Sequence, residues 1–225
     1  MSGQSNAPTS RRTRIAAFAA GGALVVGGLG YTLASWTDTE WVFGGTADGD
    51  PAVGTSTFEV EQNVTGLPGD WTQSEQDPGQ AMTFTADAIA LSPGDATYAG
   101  VSLRTVTGSI AGDVEVQRAV RAAGIPVVDA GDLLWDALQV RVATTAVGAT
   151  CGAGSFTAGS TIVSGPLATS DATIAQALAA DGASEQAYCF EVSLPATPAL
   201  PAGVALDALQ GRTAAPAWEF AAESR

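Results

Sequence analysis

The stretch that most constrains this chain runs over residues 11–43. Arg11, Arg12 and Arg14 lead into an uncharged run over 15–34, which gives way to Ser35, Trp36, Thr37, Asp38, Thr39 and Glu40. A basic head, an apolar middle and small residues before a polar change are the marks of an export signal. Thr32-Leu33-Ala34 sets small residues ahead of a cut between Ala34 and Ser35. The reading is a signal peptide over 1–34, removed by a signal peptidase, and a single domain over 35–225. The 20 residues of the apolar run are enough to cross a bilayer if left uncut. Its many alanines and paired glycines make it a weak anchor, so no stable membrane insertion is expected after cleavage. The protein is then secreted, either extracellular or held at the cell surface. Ser10 to Arg14 half-matches a twin-arginine signal, but Arg14 stands where that motif takes an apolar residue, which favours the general secretory route.

Charge narrows the function classes. All 23 acidic residues lie beyond residue 34, against six arginines there, a formal charge of −17 for that part of the chain. Nucleic-acid binding relies on cationic side chains neutralising phosphates, so no nucleic-acid partner is expected. The same argument disfavours an anionic membrane surface. A self-repelling extracellular protein, screened by salt or divalent ions, fits the balance. The chain also has no His and no Lys. It therefore cannot run Ser-His-Asp or Cys-His chemistry, and it lacks the commonest metal ligand. It cannot form a Schiff base or a Lys-based isopeptide link between subunits. Cys151 and Cys189 are the only cysteines. An even count in an exported chain reads as a disulfide. Two thiolates without His do not complete a metal site, and a catalytic thiol would lack its base. No cofactor, metal or enzymatic activity is expected.

Alternation of apolar and polar residues marks strands over 57–64, 82–87, 98–106, 108–120, 138–146, 186–194 and 214–222. Between them stand Asp48-Gly49-Asp50-Pro51, Pro68-Gly69-Asp70, Asp77-Pro78-Gly79 and Ser92-Pro93-Gly94-Asp95, all turn chemistry. Residues 132–138 and 206–209 read as short helical turns, 151–159 as a Gly-rich loop and 195–201 as extended. The one clear helix is expected over 169–181. Ser170 would cap it, Asp171 complement its dipole, Ile174 and Leu178 share a face, and Gly182 end it. Short strands at this spacing with one short helix predict an all-β fold, an antiparallel sandwich.

Several residue groups invite a functional reading and have a plainer one. Asp48 and Asp50, near Asp38 and Glu40, match no full Ca²⁺ loop and read as a solvated turn. Glu59 and Glu61 read as a solvated strand face rather than a glycosidase pair. Asn63-Val64-Thr65 fits a glycosylation acceptor, but a strand end is preferred. The five tryptophans could form a carbohydrate platform, yet Trp135 and Trp218 follow the pattern of core residues. Trp36 and Trp41 differ, because they lie in the segment that becomes the new N-terminus. That segment, 35–43, alternates, with Thr37, Thr39, Trp41 and Phe43 on one face and Trp36, Asp38, Glu40 and Val42 on the other.

The junction over 21–40 resembles that of the TasA/camelysin family of exported proteins, cut by a SipW-type signal peptidase. Gly21, Gly22, Gly27, Gly28, Gly30, Tyr31, Ala34, Trp36, Asp38, Thr39 and Glu40 carry the likeness. Leu91-Ser92-Pro93-Gly94-Asp95 and the strand after it are similar to that family's Leu-x-Pro-Gly-Asp turn. The resemblance implies a jelly-roll-like sandwich and a structural subunit of an extracellular fibre or biofilm layer. It also implies self-association into filaments by strand donation, with Trp36, Thr37, Thr39, Trp41 and Phe43 in the donor strand. The walls of the receiving groove are expected at 57–64 and 214–222. The alternative is a monomeric adhesin or carbohydrate-binding module. Camelysin's description as a protease does not carry over, since this chain has neither His nor an H-E-x-x-H helix.

Overall fold

Residues 96–105 alternate without a break, and they form the longest strand among the described residues. In a computed structural model, which describes Asp48 and residues 54–225 except Ala86 and Ala158, the chain is an antiparallel β-sandwich. The strands are β1 (Val60–Asn63), β2 (Ala96–Thr105), β3 (Gly112–Val116), β4 (Val120–Arg121), β5 (Gln139–Thr145), β6 (Thr161–Pro166), β7 (Gln176–Leu178), β8 (Gln186–Ser193), β9 (Pro216–Ala217) and β10 (Phe220–Ser224). A five-stranded sheet runs in the order β1-β2-β8-β5-β6, and a three-stranded sheet in the order β10-β3-β7. A two-stranded ribbon pairs β4 with β9.

The core lies between the two larger sheets. Val101, Leu103, Val140, Val142, Tyr188 and Phe190 from the first sheet pack in one cluster with Val114, Val116 and Leu178 from the second. The ring of Tyr188 meets Phe220 at 5.1 Å, and Phe190 meets Trp218 at 4.8 Å. β2 alternates buried and half-buried side chains along all ten residues, as a strand with one face on a core must. β8 does not alternate, because six of its eight residues are buried. Its outer face carries Cys189, joined by a disulfide to Cys151, so the Gly-rich loop after β5 is fastened over the centre of the sheet. On that face the Arg141 guanidinium donates from Nε to Glu191 at 2.8 Å and stacks on Phe156 at 4.5 Å.

The expected helix over 169–181 does not form. Ala172 donates its amide to the Val116 carbonyl at 2.9 Å, and β7 pairs with β3 through Leu178 opposite Gly112. Leu178 is fully buried while Ile174 is 63% exposed, so they share no face. The open edge of β3 recruits an alanine-rich segment whose local preference is helical, a tertiary override of propensity. The short helix sits earlier: a 3-10 turn at Ala130–Asp132 runs into α1 (Leu133–Ala137), which buries Trp135. The Asp129 carboxylate caps it, accepting from the amides of Leu134 and Trp135, both at 2.9 Å.

Three further expectations are corrected. Residues 82–85 carry half-buried Met82 and Phe84 but form no ladder among the described residues, although Thr85 donates its amide to Tyr98 at 3.0 Å. The expected strand over 108–120 stops at Val116, and exposed Arg118 has left the alternation. The expected strand over 214–222 is broken at Trp218 into β9 and β10, which belong to different sheets.

Candidate functional site

Strand parity leaves two sheet edges open on one side of the sandwich. The Val106 amide bonds the Glu59 carbonyl at 3.0 Å, so Glu59, Glu61 and Asn63 face β2. Phe58, Val60 and Gln62 must then point their backbone groups the other way. Gln62 exchanges both its bonds with Thr72, at 2.8 and 2.9 Å. The amides and carbonyls of Phe58 and Val60 have no backbone partner among the described residues. β10 repeats the situation. The Gln117 amide bonds the Glu219 carbonyl at 2.9 Å, and that of Arg225 bonds Ala111 at 3.1 Å, so Ala221 and Glu223 face β3. Phe220, Ala222 and Ser224 therefore turn their backbone groups outward, again without backbone partners among the described residues.

Both open edges line one groove of about 1910 Å³. Phe58–Gln62 border it on one side, and Ala214–Phe220 with Ala222 on the other, so both segments expected as walls take part. Its apolar lining includes Val101, Leu103, Phe84, Leu138, Val192 and Trp218. Exposed apolar residues collect at the lining as well: Ile89 at 93%, Ile125 at 49%, and Val120 and Leu206 both at 46%. At one end the Phe58 ring closes on Gly112, where an added Cβ would lie 2.4 Å from the ring and 2.5 Å from the Glu223 carbonyl. Glycine is required there for close approach, not for an unusual dihedral. The indole Nε1 of Trp218 is buried without a hydrogen-bond partner among the described residues. The groove thus combines outward-turned backbone groups at two strand edges with an apolar floor.

No protein-family model, curated protein or solved structure matches this chain.

The remaining sequence-predicted positions fall as follows. Ala34, Ser35, Trp36, Thr37, Thr39, Trp41 and Phe43 lie outside the described residues, as do Asp38, Glu40 and Asp50. Asp48 is an exposed turn residue. Cys151 and Cys189 form the expected disulfide. Glu61 is not a free member of an acidic pair, since it accepts from Arg104 Nε at 2.7 Å. The Asn63 side chain is 6% exposed and makes bonds to Leu67, Thr65 and Gly66, which leaves its amide no room to act as a glycan acceptor. Trp135 is buried, Trp218 half-buried in the groove, and Trp71 half-buried under Arg104 at 4.1 Å. None of the described tryptophans offers an open platform for a sugar. Among the described residues no cluster of three or more His, Cys, Asp or Glu is placed to hold a metal ion, and no helix is long and apolar enough to cross a membrane.

Sequence reasoning did not find the contributions of residues 81–84, 88–91 and 206–213 to the groove. They lie in loops and in the 3-10 turn Leu206–Leu209, their shared lining depends on the fold, and only the apolar character of Ile89 and Leu206 hinted at it.

Proposed function

We propose that this protein is an exported structural subunit of an extracellular fibre or surface layer, not an enzyme. Its N-terminal segment 35–43, freed by a signal peptidase, fills the groove of a neighbouring copy. The observation that carries this reading is the pair of open edges, β1 and β10, on one apolar groove. Unpaired edges invite strand addition, in which backbone bonds supply affinity and alternate side chains supply fit. Thr37, Thr39, Trp41 and Phe43 form such an alternating face, with two aromatics to meet an apolar floor. Burying one aromatic side chain stabilises by roughly 1.5–3 kcal/mol. A head-to-tail contact of this kind does not close on itself and so propagates into a filament. The resemblance of the 21–40 junction to the TasA/camelysin family supports the same reading, as does the absence of His and Lys chemistry.

Deleting residues 35–43, or making Trp41→Asp, is expected to leave a folded monomer that forms no filaments. Size exclusion, circular dichroism and electron microscopy on one sample read all three properties. Filaments that persist after the deletion would remove donation by this segment. A wild-type protein that stays monomeric at high concentration would favour a monomeric surface-binding module.

A further inference from the structure

The groove and its proposed occupant carry charge of the same sign. Glu59, Glu75, Asp77, Asp207 and Glu219 line the groove, all exposed, and none is in an ion pair among the described residues. The one basic residue in the lining, Arg212, is engaged by Asp129 at 2.8 Å. Glu59 accepts from Gln73 Nε2 and Asp77 from the Ala123 amide, both at 3.0 Å, but neither bond neutralises a carboxylate. Segment 35–43 contributes Asp38 and Glu40 and no basic side chain. A new α-amino group at Ser35 offsets one of those charges. If Thr37, Thr39, Trp41 and Phe43 face the floor, Asp38 and Glu40 face away from it, toward the level of the rim.

We propose that filling of the groove is gated by ionic strength, through repulsion between Asp38 and Glu40 of one copy and the rim carboxylates of the next. The inference rests on the fibre reading above. Screening lengths fall from about 30 Å at 0.01 M salt to about 3 Å at 1 M. At low salt the rim repels the incoming segment, and at high salt only the apolar floor and the open edges act. Salt also strengthens apolar association directly, so salt dependence alone does not decide, and the charge variants carry the test.

The secreted protein, as recovered from culture medium, is brought to low NaCl and titrated upward, with light scattering and electron microscopy as readouts. Assembly is expected to be lost at about 0.01 M NaCl and recovered toward about 1 M. The pair Asp38→Asn with Glu40→Gln, and separately Asp207→Asn with Glu219→Gln, should each lower the half-assembly NaCl concentration by about threefold or more. The pair Asp136→Asn with Asp171→Asn removes equal charge from exposed positions outside the groove and should leave that concentration in place. An equal shift from this control pair would overturn the local gate in favour of net charge. Assembly indifferent to NaCl would overturn it outright, as would Ca²⁺ promoting assembly far below the matching ionic strength of NaCl. Those outcomes leave the fibre reading standing. Absence of assembly at every salt concentration would instead remove the fibre reading, and this inference with it.

Discussion

At the scale of single residues, two buried polar groups have opposite standing. The Tyr188 hydroxyl lies in a side chain only 1% exposed and has no hydrogen-bond partner among the described residues. Burial pushes its phenol pKa up, because the charged form finds nothing to solvate it. A buried polar group without a partner costs roughly 1–3 kcal/mol. Tyr188→Phe is therefore expected to hold or raise stability, by about 1 kcal/mol, in urea unfolding. Asp129 is the contrary case, with a side chain 5% exposed. Burial opposes its ionisation, but the amides of Leu134 and Trp135 and the Arg212 guanidinium outweigh burial and hold the carboxyl below its ordinary value. A depressed folded pKa contributes stability that is fully present above the unfolded value, about 3.9, and is lost as pH falls through the folded one. Asp129→Asn should then cost about 1–3 kcal/mol at neutral pH, with the gap from wild type narrowing below about pH 4. A gap that stayed constant down to acid pH would show that the carboxylate's charge is not what caps α1.

At the scale of elements, legibility followed how far each segment's partner could be inferred from the segment itself. β2, β5 and β8 were readable because one face of each meets the core, and Val101, Leu103, Val140 and Val142 fall at a period of two. Residues 169–181 were not readable. Their alanines favour a helix locally, and what makes Gln176–Leu178 a strand is the unpaired edge of β3, a feature of another segment. Met82 and Phe84 alternate correctly yet form no ladder, since alternation reports a buried face and not a hydrogen-bonded neighbour. The open edges of β1 and β10 were legible only as candidate walls, because which backbone groups face outward depends on register, and register lies in the pairing. The disulfide was legible from the even cysteine count, read together with the expectation of export. It joins β8 to the loop after β5 across 38 residues of sequence. Replacing both cysteines by serine should lower stability by about 2–4 kcal/mol by the loop-entropy argument. Calorimetry of the variant measures this, and non-reducing peptide maps of wild type should show the two peptides joined. An unchanged melting temperature would mean that the covered face of β8 is held by Arg141, Glu191 and Phe156 without the covalent link.

At the scale of the whole molecule, the sandwich is held together by a well-filled core yet presents an unfinished side. Val114, Val116, Leu178 and Phe190 seal the two sheets, while β1 and β10 each end their sheet with backbone groups turned outward. Natural proteins blunt such edges with charge, bulges or proline. Here the carboxylates Glu59 and Glu219 flank the edges, but Phe58, Val60, Phe220 and Ala222 lie open between them. Strand addition at β10 can be tested without touching its apolar floor. Ala222 points its amide away from β3, so the proline change Ala222→Pro removes no ladder bond and lies on an edge strand, where proline is tolerated. Ala221 pairs with Glu115 in the ladder, so Ala221→Pro does remove a bond. Ala222→Pro is expected to fold with a circular dichroism spectrum and melting temperature close to wild type and, on the proposed fibre reading, to form no filaments, because the added ring blocks the edge. Ala221→Pro is expected to lower the melting temperature, because it removes a ladder hydrogen bond. If Ala222→Pro assembles as well as wild type, the incoming segment does not pair with β10, and the edge of β1 at Phe58 and Val60 becomes the place to look. If both variants unfold alike, the parity assigned to β10 is wrong, and with it the two-edged groove.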